Sequence, residues 1–351
     1  MLTRLAGSAL VALVVLASSS KSSSVHRVQG PSSPNLAATD TEPTFIEMRN
    51  VHFHVGGDVV LRIRNLHGLM RGRDGVVDFD DGTSFTTWVN TAEVGMAADD
   101  LSRLFNNHVF AYPGAPLRKI RVQLVDGQLR QSGILHKGVD IPFKIKSVVS
   151  VTPDGRIRLH PVDTDIFGVD GDKLMRALGL TMQKMVDVSK AVGVTIEKND
   201  FLIDPIRILP PPKIRGRLTA VRVENGELVQ QIGPEPGTAA QFASTRLAPP
   251  DTSAKNYMYY RGGKLHFGRK LLMADADMQV IDGDPTNPFD FNLDRYMAQL
   301  VAGYSRTLPN AGLWVLMPDA NRVTRLEHSV GGEVTSGRET GKVPLKGATK
   351  P

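Results

Sequence analysis

Two-residue alternation, punctuated by Asp-Gly and Asn-Gly pairs, limits this chain more than any other feature. Val51, Phe53 and Val55 alternate with His52 and His54, and Val59, Leu61 and Ile63 with Arg62 and Arg64. Ile120, Val122 and Leu124 alternate with Lys119, Arg121 and Gln123. Val139, Ile141, Phe143 and Ile145 alternate with Lys144 and Lys146, and Ile157 and Leu159 with Arg156, Arg158 and His160. A period of two gives each strand one oily and one wet face. Asp81-Gly82, Asp126-Gly127, Asp154-Gly155 and Asn225-Gly226 each sit between two such runs. Tight hairpin turns need positive φ, which these pairs adopt at low cost, so antiparallel hairpins are expected at all of them.

The oily face of such a sheet needs cover. The stretch Asp172 to Lys190 (DKLMRALGLTMQKMVDVSK) spaces Leu174, Leu178, Met182 and Met185 as a helix does, with Met175 and Val186 widening the face. Asp170 or Asp172 can cap its start. Its methionines make a soft surface that suits a core helix or a helix shared between the sheet and a bound lipid. A second helix is expected over Asp99 to Ala111, with Leu101, Leu104, Phe105, His108 and Val109 on one side and His108 read as a satisfied core histidine. A third is expected in NLDRYMAQLVAGY, where Leu293, Met297, Leu300, Val301 and Tyr304 share a face. The fold class is therefore α+β: a strongly curved antiparallel sheet of long hairpins wrapped around a long amphipathic helix, with a smaller C-terminal β+α extension.

The chain has 351 residues, too many for one ordinary core. Met1 to Arg4 is basic, Leu5 to Ala17 apolar, and Ser18 to Ser24 small and polar, the three-part layout of a secretory signal. Residues 1–19 are read as that signal, cleaved or kept as an anchor, and 20–43 as a flexible tether. Residues 44–233 form the curved-sheet domain and 234–254 a linker. Residues 255–323 hold the C-terminal strands and helix, and 324–351 a disordered tail. After the Pro210-Pro211-Pro212 crossover a strand is expected from Lys213 to Glu224. Tyr257–Tyr260 and Lys264–Phe267 flank Arg261-Gly262-Gly263 as a hairpin, and strands follow at Leu271–Ile281 and Trp314–Met317. There is no cysteine, which excludes disulfides, thiolate metal sites and lipid attachment through an N-terminal Cys. The expected location is the periplasm or cell envelope.

Residues Leu117 to Gly233 resemble the tubular lipid-binding (TULIP-like) group, and within it the LmeA-like exported phospholipid-binding proteins of bacteria. The resemblance is carried by GQLRQSGILHKGVDIPFKIKSVVSVTPDGRIRLHP, by the stretch after it, and by VTIEKNDFLIDPIRILPPP. It implies a curved sheet rolled around a helix with an apolar groove between them, and a phospholipid or other acyl lipid as ligand. Tyr257 to Met317 has no counterpart in that group.

The side chains expected to line such a groove are Ile141, Phe143, Ile145, Ile157, Leu159, Leu178, Met182 and Met185, each of a kind that is more often plain core than pocket wall. There is no nucleophile elbow, phosphate-binding Gly loop or HExxH, so no catalytic residue, cofactor or metal is assigned. His52 and His54 share a strand face without an obvious third ligand. Asp275, Asp277, Asp282, Asp284 and Asp290 suit turns, or a calcium loop of unfamiliar spacing. The net charge is +6, and outer-face cations fall at Lys119, Arg121, Lys144, Lys146, Arg156, Arg158, Arg215 and Arg217. If their strands adjoin, these form a band for an anionic membrane surface, or merely a solvated face. Nucleic acid is not an expected partner. The alternative to lipid binding is a periplasmic interaction protein without ligand, its anchors being Tyr257, Tyr259, Tyr260 and Trp314.

Overall fold

Long strands form where the alternation is sustained. The computed structural model describes residues 42–166, 169–170, 181–242, 248–310 and 312–323. The first strands are β1 (Thr44–Val55), β2 (Val59–Gly72), β3 (Val76–Asp78) and β4 (Phe85–Ala97). Helix α1 (Ala98–Leu104) continues as a π turn, Phe105–Val109. A meander follows: β5 (Leu117–Val125), β6 (Gln128–Lys137), β7 (Val139–Val151), β8 (Ile157–Ile166) and the short β9 (Val169–Asp170). After α2 (Met182–Met185) come β10 (Val194–Glu197), β11 (Asp200–Ile203), β12 (Lys213–Arg215), β13 (Arg217–Glu224) and β14 (Glu227–Gly233). The last part holds β15 (Tyr257–Arg261), β16 (Lys264–His266), β17 (Leu272–Met273), β18 (Asp277–Asp282), β19 (Phe289–Asn292), α3 (Tyr296–Ala302), β20 (Tyr304–Thr307) and β21 (Leu313–Met317).

These strands make antiparallel-rich sheets, one of them curled into a half-barrel. An eleven-stranded sheet runs β13-β14-β4-β2-β1-β15-β18-β21-β20, with β12 beside β4 and β19 beside β1. A seven-stranded sheet runs β10-β11-β8-β7-β6-β5, with β9 beside β8. Its strands are inserted in sequence between β4 and β12, so the chain leaves the large sheet through α1 and returns through Pro210–Pro212. A three-stranded sheet, β17-β16-β3, completes the set. β13 packs against β7, and one continuous hydrophobic core includes Ile46, Leu104, Ile145 and Phe291.

From Tyr257 on, β15, β18, β19, β20 and β21 extend the large sheet. β1 pairs with β15 from Phe45 to Arg49, and with β19 from Val51 to His54. The change of partner falls at Asn50, whose φ is 52° and whose amide donates to Asn256 Oδ1 at 2.7 Å. The buried phase of β1 shifts by one residue there, from Ile46 and Met48 to Val51, Phe53 and Val55.

The turns divide. Asp126-Gly127 and Asn225-Gly226 have positive φ at both residues and close the β5–β6 and β13–β14 hairpins. Gly155, at φ 87°, lies in the wider β7–β8 loop. Asp81-Gly82 closes no hairpin: β2 pairs directly with β4, and β3 leaves between them to join β16. Asp81 instead accepts the Thr83 N–H at 2.8 Å in a local turn. Arg261-Gly262-Gly263 also departs from the hairpin expected there. Positive φ at both glycines, 72° and 62°, turns the chain from one sheet into another.

The helix expected over Asp172 to Lys190 does not run to Lys190. Residues 171–180, including Leu174, Met175 and Leu178, lie outside the described residues. Of the rest, only Met182–Met185 is helical, between extended Thr181 and extended Val186. From Val186 the burial alternates: Val186 and Val188 are buried, Asp187 and Ser189 exposed. Asp187 accepts the Ser189 N–H at 2.9 Å, which favours a turn over a further helical turn. Helix α1 forms as expected, and His108 bonds Asp58 at 3.0 Å. The third expected helix is shorter and its buried face differs: Tyr296 and Gln299 of α3 are buried with Leu293 of the preceding turn, whereas Val301 is 70% exposed and Tyr304, already in β20, 53%. The cause is Gln299, whose amide donates to the Asp290 and Pro318 carbonyls and accepts from Asn292 N–H, each at 2.9 Å. A polar residue with all these partners occupies the buried face as readily as a leucine.

Candidate functional site: an apolar cavity inside the seven-stranded sheet

Antiparallel register stacks the inward side chains of β5 to β8 in rows. One row is Leu117, Leu135, Ile141; the next is Gly133, Phe143, Ile166; the third is Val122, Gln131, Ile145, Thr164. Glycine at 133 lets the Phe143 ring lie over the sheet, since a Cβ there would sit 3.1 Å from Phe143 Cζ. The opposite wall is Phe105 and Phe110 after α1, Met182, Met185 and Val186 around α2, and Val194, Phe201 and Ile203 of β10 and β11. The walls do not meet completely. They leave a cavity of about 40 Å³, in the measure that allots one water roughly 10–15 Å³. Among the described residues, its polar lining is Gln131 and Thr164.

Of the residues expected to line a groove, Ile141, Phe143, Ile145, Met182 and Met185 do so. Ile157 and Leu159 are buried in the same core and face Ile203 and Phe201 of β11, outside the cavity lining. Leu178 lies outside the described residues. Val139, at the start of the same alternating run, is 63% exposed. The sequence reading missed Phe110, Leu135, Phe201 and Ile203 on the apolar side, and both polar residues. Phe201 and Ile203 had a usable signal: Lys198, at φ 56°, and Asn199 form a two-residue turn between β10 and β11.

A second apolar cavity, of about 70 Å³, lies on the inner face of β1, β2 and β4. Met48, Met70 and Met96 line it, and the segment from Pro205 to Pro212 crosses it. Ile203 lines the first cavity and Pro205 the second, so one stretch of chain divides them.

The polar clusters have closed arrangements. Asp277 accepts from Arg261 at 2.6 Å, Asn310 at 2.7 Å and Tyr259 at 3.1 Å. Asp282 accepts the Asp284 N–H and the Asn256 amide, Asp284 binds Thr286 and Arg322, and Asp290 binds His54. Asp277, Asp282, Asp284 and Asp290 thus face different partners, and among the described residues no three acidic groups of this stretch bring ligand atoms together. Burial, reinforced by the charges of Asp319 and Asp284, pushes the Asp282 carboxyl up to about 6. Burial and the Arg62 charge lower the His52 imidazole. Asp78, Asp80 and His266 bring three ligand-type atoms within 4.8 Å of one another. They are already engaged: His266 bonds Asp78 at 2.9 Å and the Tyr296 hydroxyl donates to Asp80.

The expected basic band is split between the two sheets. Arg215 and Arg217 belong to the large one, where Arg215 lies 3.5 Å from Glu235 and Arg217 donates to the Pro153 carbonyl. Arg156 pairs with Asp154 at 2.7 Å and Arg158 with Asp200 at 3.6 Å. Arg121 of β5 and Lys144 of β7 share a row across Ser132 of β6, Lys146 lies in the next row, and Lys119 sits at the β5 irregularity outside both. The two rows end on Asp165 and Asp163 of β8. Comparison with family models, with curated proteins and with solved structures gives no match to this chain.

Proposed function

We propose that this chain is an exported, non-enzymatic lipid-binding protein of the cell envelope, and that it holds an acyl chain inside the seven-stranded sheet. The observation that carries this is the cavity lined by Phe105, Leu135, Phe143, Ile145, Met182 and Phe201, a gap that these lining side chains do not close among the described residues. Well-packed cores do not keep apolar space of this kind without cost, because each lining atom forfeits dispersion contacts. Met182 and Met185 form the adaptable wall. They sit on a single helical turn, and their unbranched side chains can swing aside for a guest wider than the resting gap. The four cations on β5 and β7 supply a surface on which an anionic membrane can be approached.

The rival reading, an interaction scaffold anchored by aromatics, draws less support. Of its four anchors, Tyr257, Tyr259 and Tyr260 are buried within the large sheet, and Trp314 is half-buried. The decisive experiment is native mass spectrometry of the purified protein with organic extraction of what it carries. Co-purified acyl lipid, displaced when Ile145→Trp fills the cavity, is the expected result. A lipid-free protein that takes up no fluorescent fatty acid would refute the proposal.

A further inference from the structure

Thr164 is 1% exposed, lines the apolar cavity, and its hydroxyl has no hydrogen-bond partner among the described residues. A buried hydroxyl without a partner is destabilising, and a valine of nearly the same shape would remove the penalty. Gln131 lies in the same row, with Ile145 between them. Neighbouring strands are about 4.8 Å apart, so the two polar side chains stand about 10 Å apart across one isoleucine. Both point into a space otherwise walled by hydrocarbon. Thr164 can donate or accept one hydrogen bond, and the Gln131 amide can do both.

We infer that Thr164 and Gln131 form a polar station inside the cavity, which selects lipids carrying an oxygen function, an ester or acid carbonyl or a hydroxyl, at the level of Ile145. This rests on the lipid-binding reading and specifies the chemical class of ligand. The guest's oxygen supplies the partner that Thr164 lacks, and the aliphatic chain runs along Phe143, Ile141 and Leu135. A plain hydrocarbon fills the same space and leaves the hydroxyl orphaned, which costs affinity without preventing binding.

The test compares methyl hexadecanoate with octadecane, chains of similar length, as competitors of a fluorescent fatty acid on the full-length protein and on Thr164→Val. The native protein should prefer the ester by about five- to tenfold, the worth of one hydrogen bond. Thr164→Val should lose that preference, keep its affinity for octadecane, and melt at a higher temperature than the native protein when ligand-free. Equal affinity of the native protein for both probes, or a preference that survives in Thr164→Val, overturns the inference and leaves lipid binding standing. Binding of neither probe overturns both. A lower melting temperature of ligand-free Thr164→Val would mean that the hydroxyl serves the fold, and would also overturn the inference.

Discussion

Asp282 is 3% exposed at the end of β18, where it accepts the Asp284 N–H at 2.8 Å and the Asn256 amide at 3.0 Å. Its carboxyl titrates near 6 in the folded chain against 3.8 for a free side chain, so between these values the native state holds a proton that the unfolded chain has released. The stability associated with that proton is complete below pH about 4 and is lost as the pH rises through 6, a change of roughly 2–3 kcal/mol. Thermal melts should therefore show the protein losing stability between pH 4 and 7, and Asp282→Asn should flatten that slope. An unchanged slope in the variant would place the titration elsewhere. Gly133 is the other residue whose identity is dictated by a neighbour, since any Cβ meets the Phe143 ring and the Arg118 carbonyl at about 3 Å. Gly133→Val should cost about 1–3 kcal/mol by overpacking and should weaken fatty-acid uptake, read by denaturant titration and by fluorescence.

Elements follow local chemistry where the chemistry is complete within a few residues. The β5–β6 turn is one example: Gly127 has φ 72° and no atom within 4 Å of where a Cβ would lie. Gly127→Ala should cost about 1 kcal/mol from backbone conformation alone, seen as a lower denaturant midpoint with an unchanged slope. The Asp81-Gly82 pair has the same composition but no hairpin, because β4 already has β2 as its partner. Met182 to Lys190 shows the same limit. Helical spacing of apolar residues existed on paper, yet Val186 and Val188 follow the period-two burial of extended chain. β-branched residues and the Asp187 turn won over spacing.

At the scale of the molecule, β1 is the shared seam. One edge carries β2, and the other carries β15 and then β19, with Asn50 at the exchange. A chain ending at Gly233 would leave that edge unpaired and uncover Phe53, which stacks on Phe291 at 5.5 Å. Such a truncation should aggregate or fail to unfold cooperatively in calorimetry, because an exposed, long apolar edge recruits other chains. A stable, monomeric truncation would show that the later strands are an independent addition.

The sequence by itself determined what depends on near neighbours: the alternating faces of β1, β2, β5, β7 and β8, the Asp126-Gly127 and Asn225-Gly226 turns, and helix α1. It also marked Ile141, Phe143 and Ile145 as the inward residues of β7. Tertiary structure alone decided which strands became neighbours, and so that β15 and β19 complete β1 and that Gln131 and Thr164 flank Ile145 inside one cavity. The physical reason is range. φ preferences and periodic burial act over a handful of residues. Strand pairing across some two hundred positions, and the emptiness of a cavity, depend on packing that no short window of residues contains.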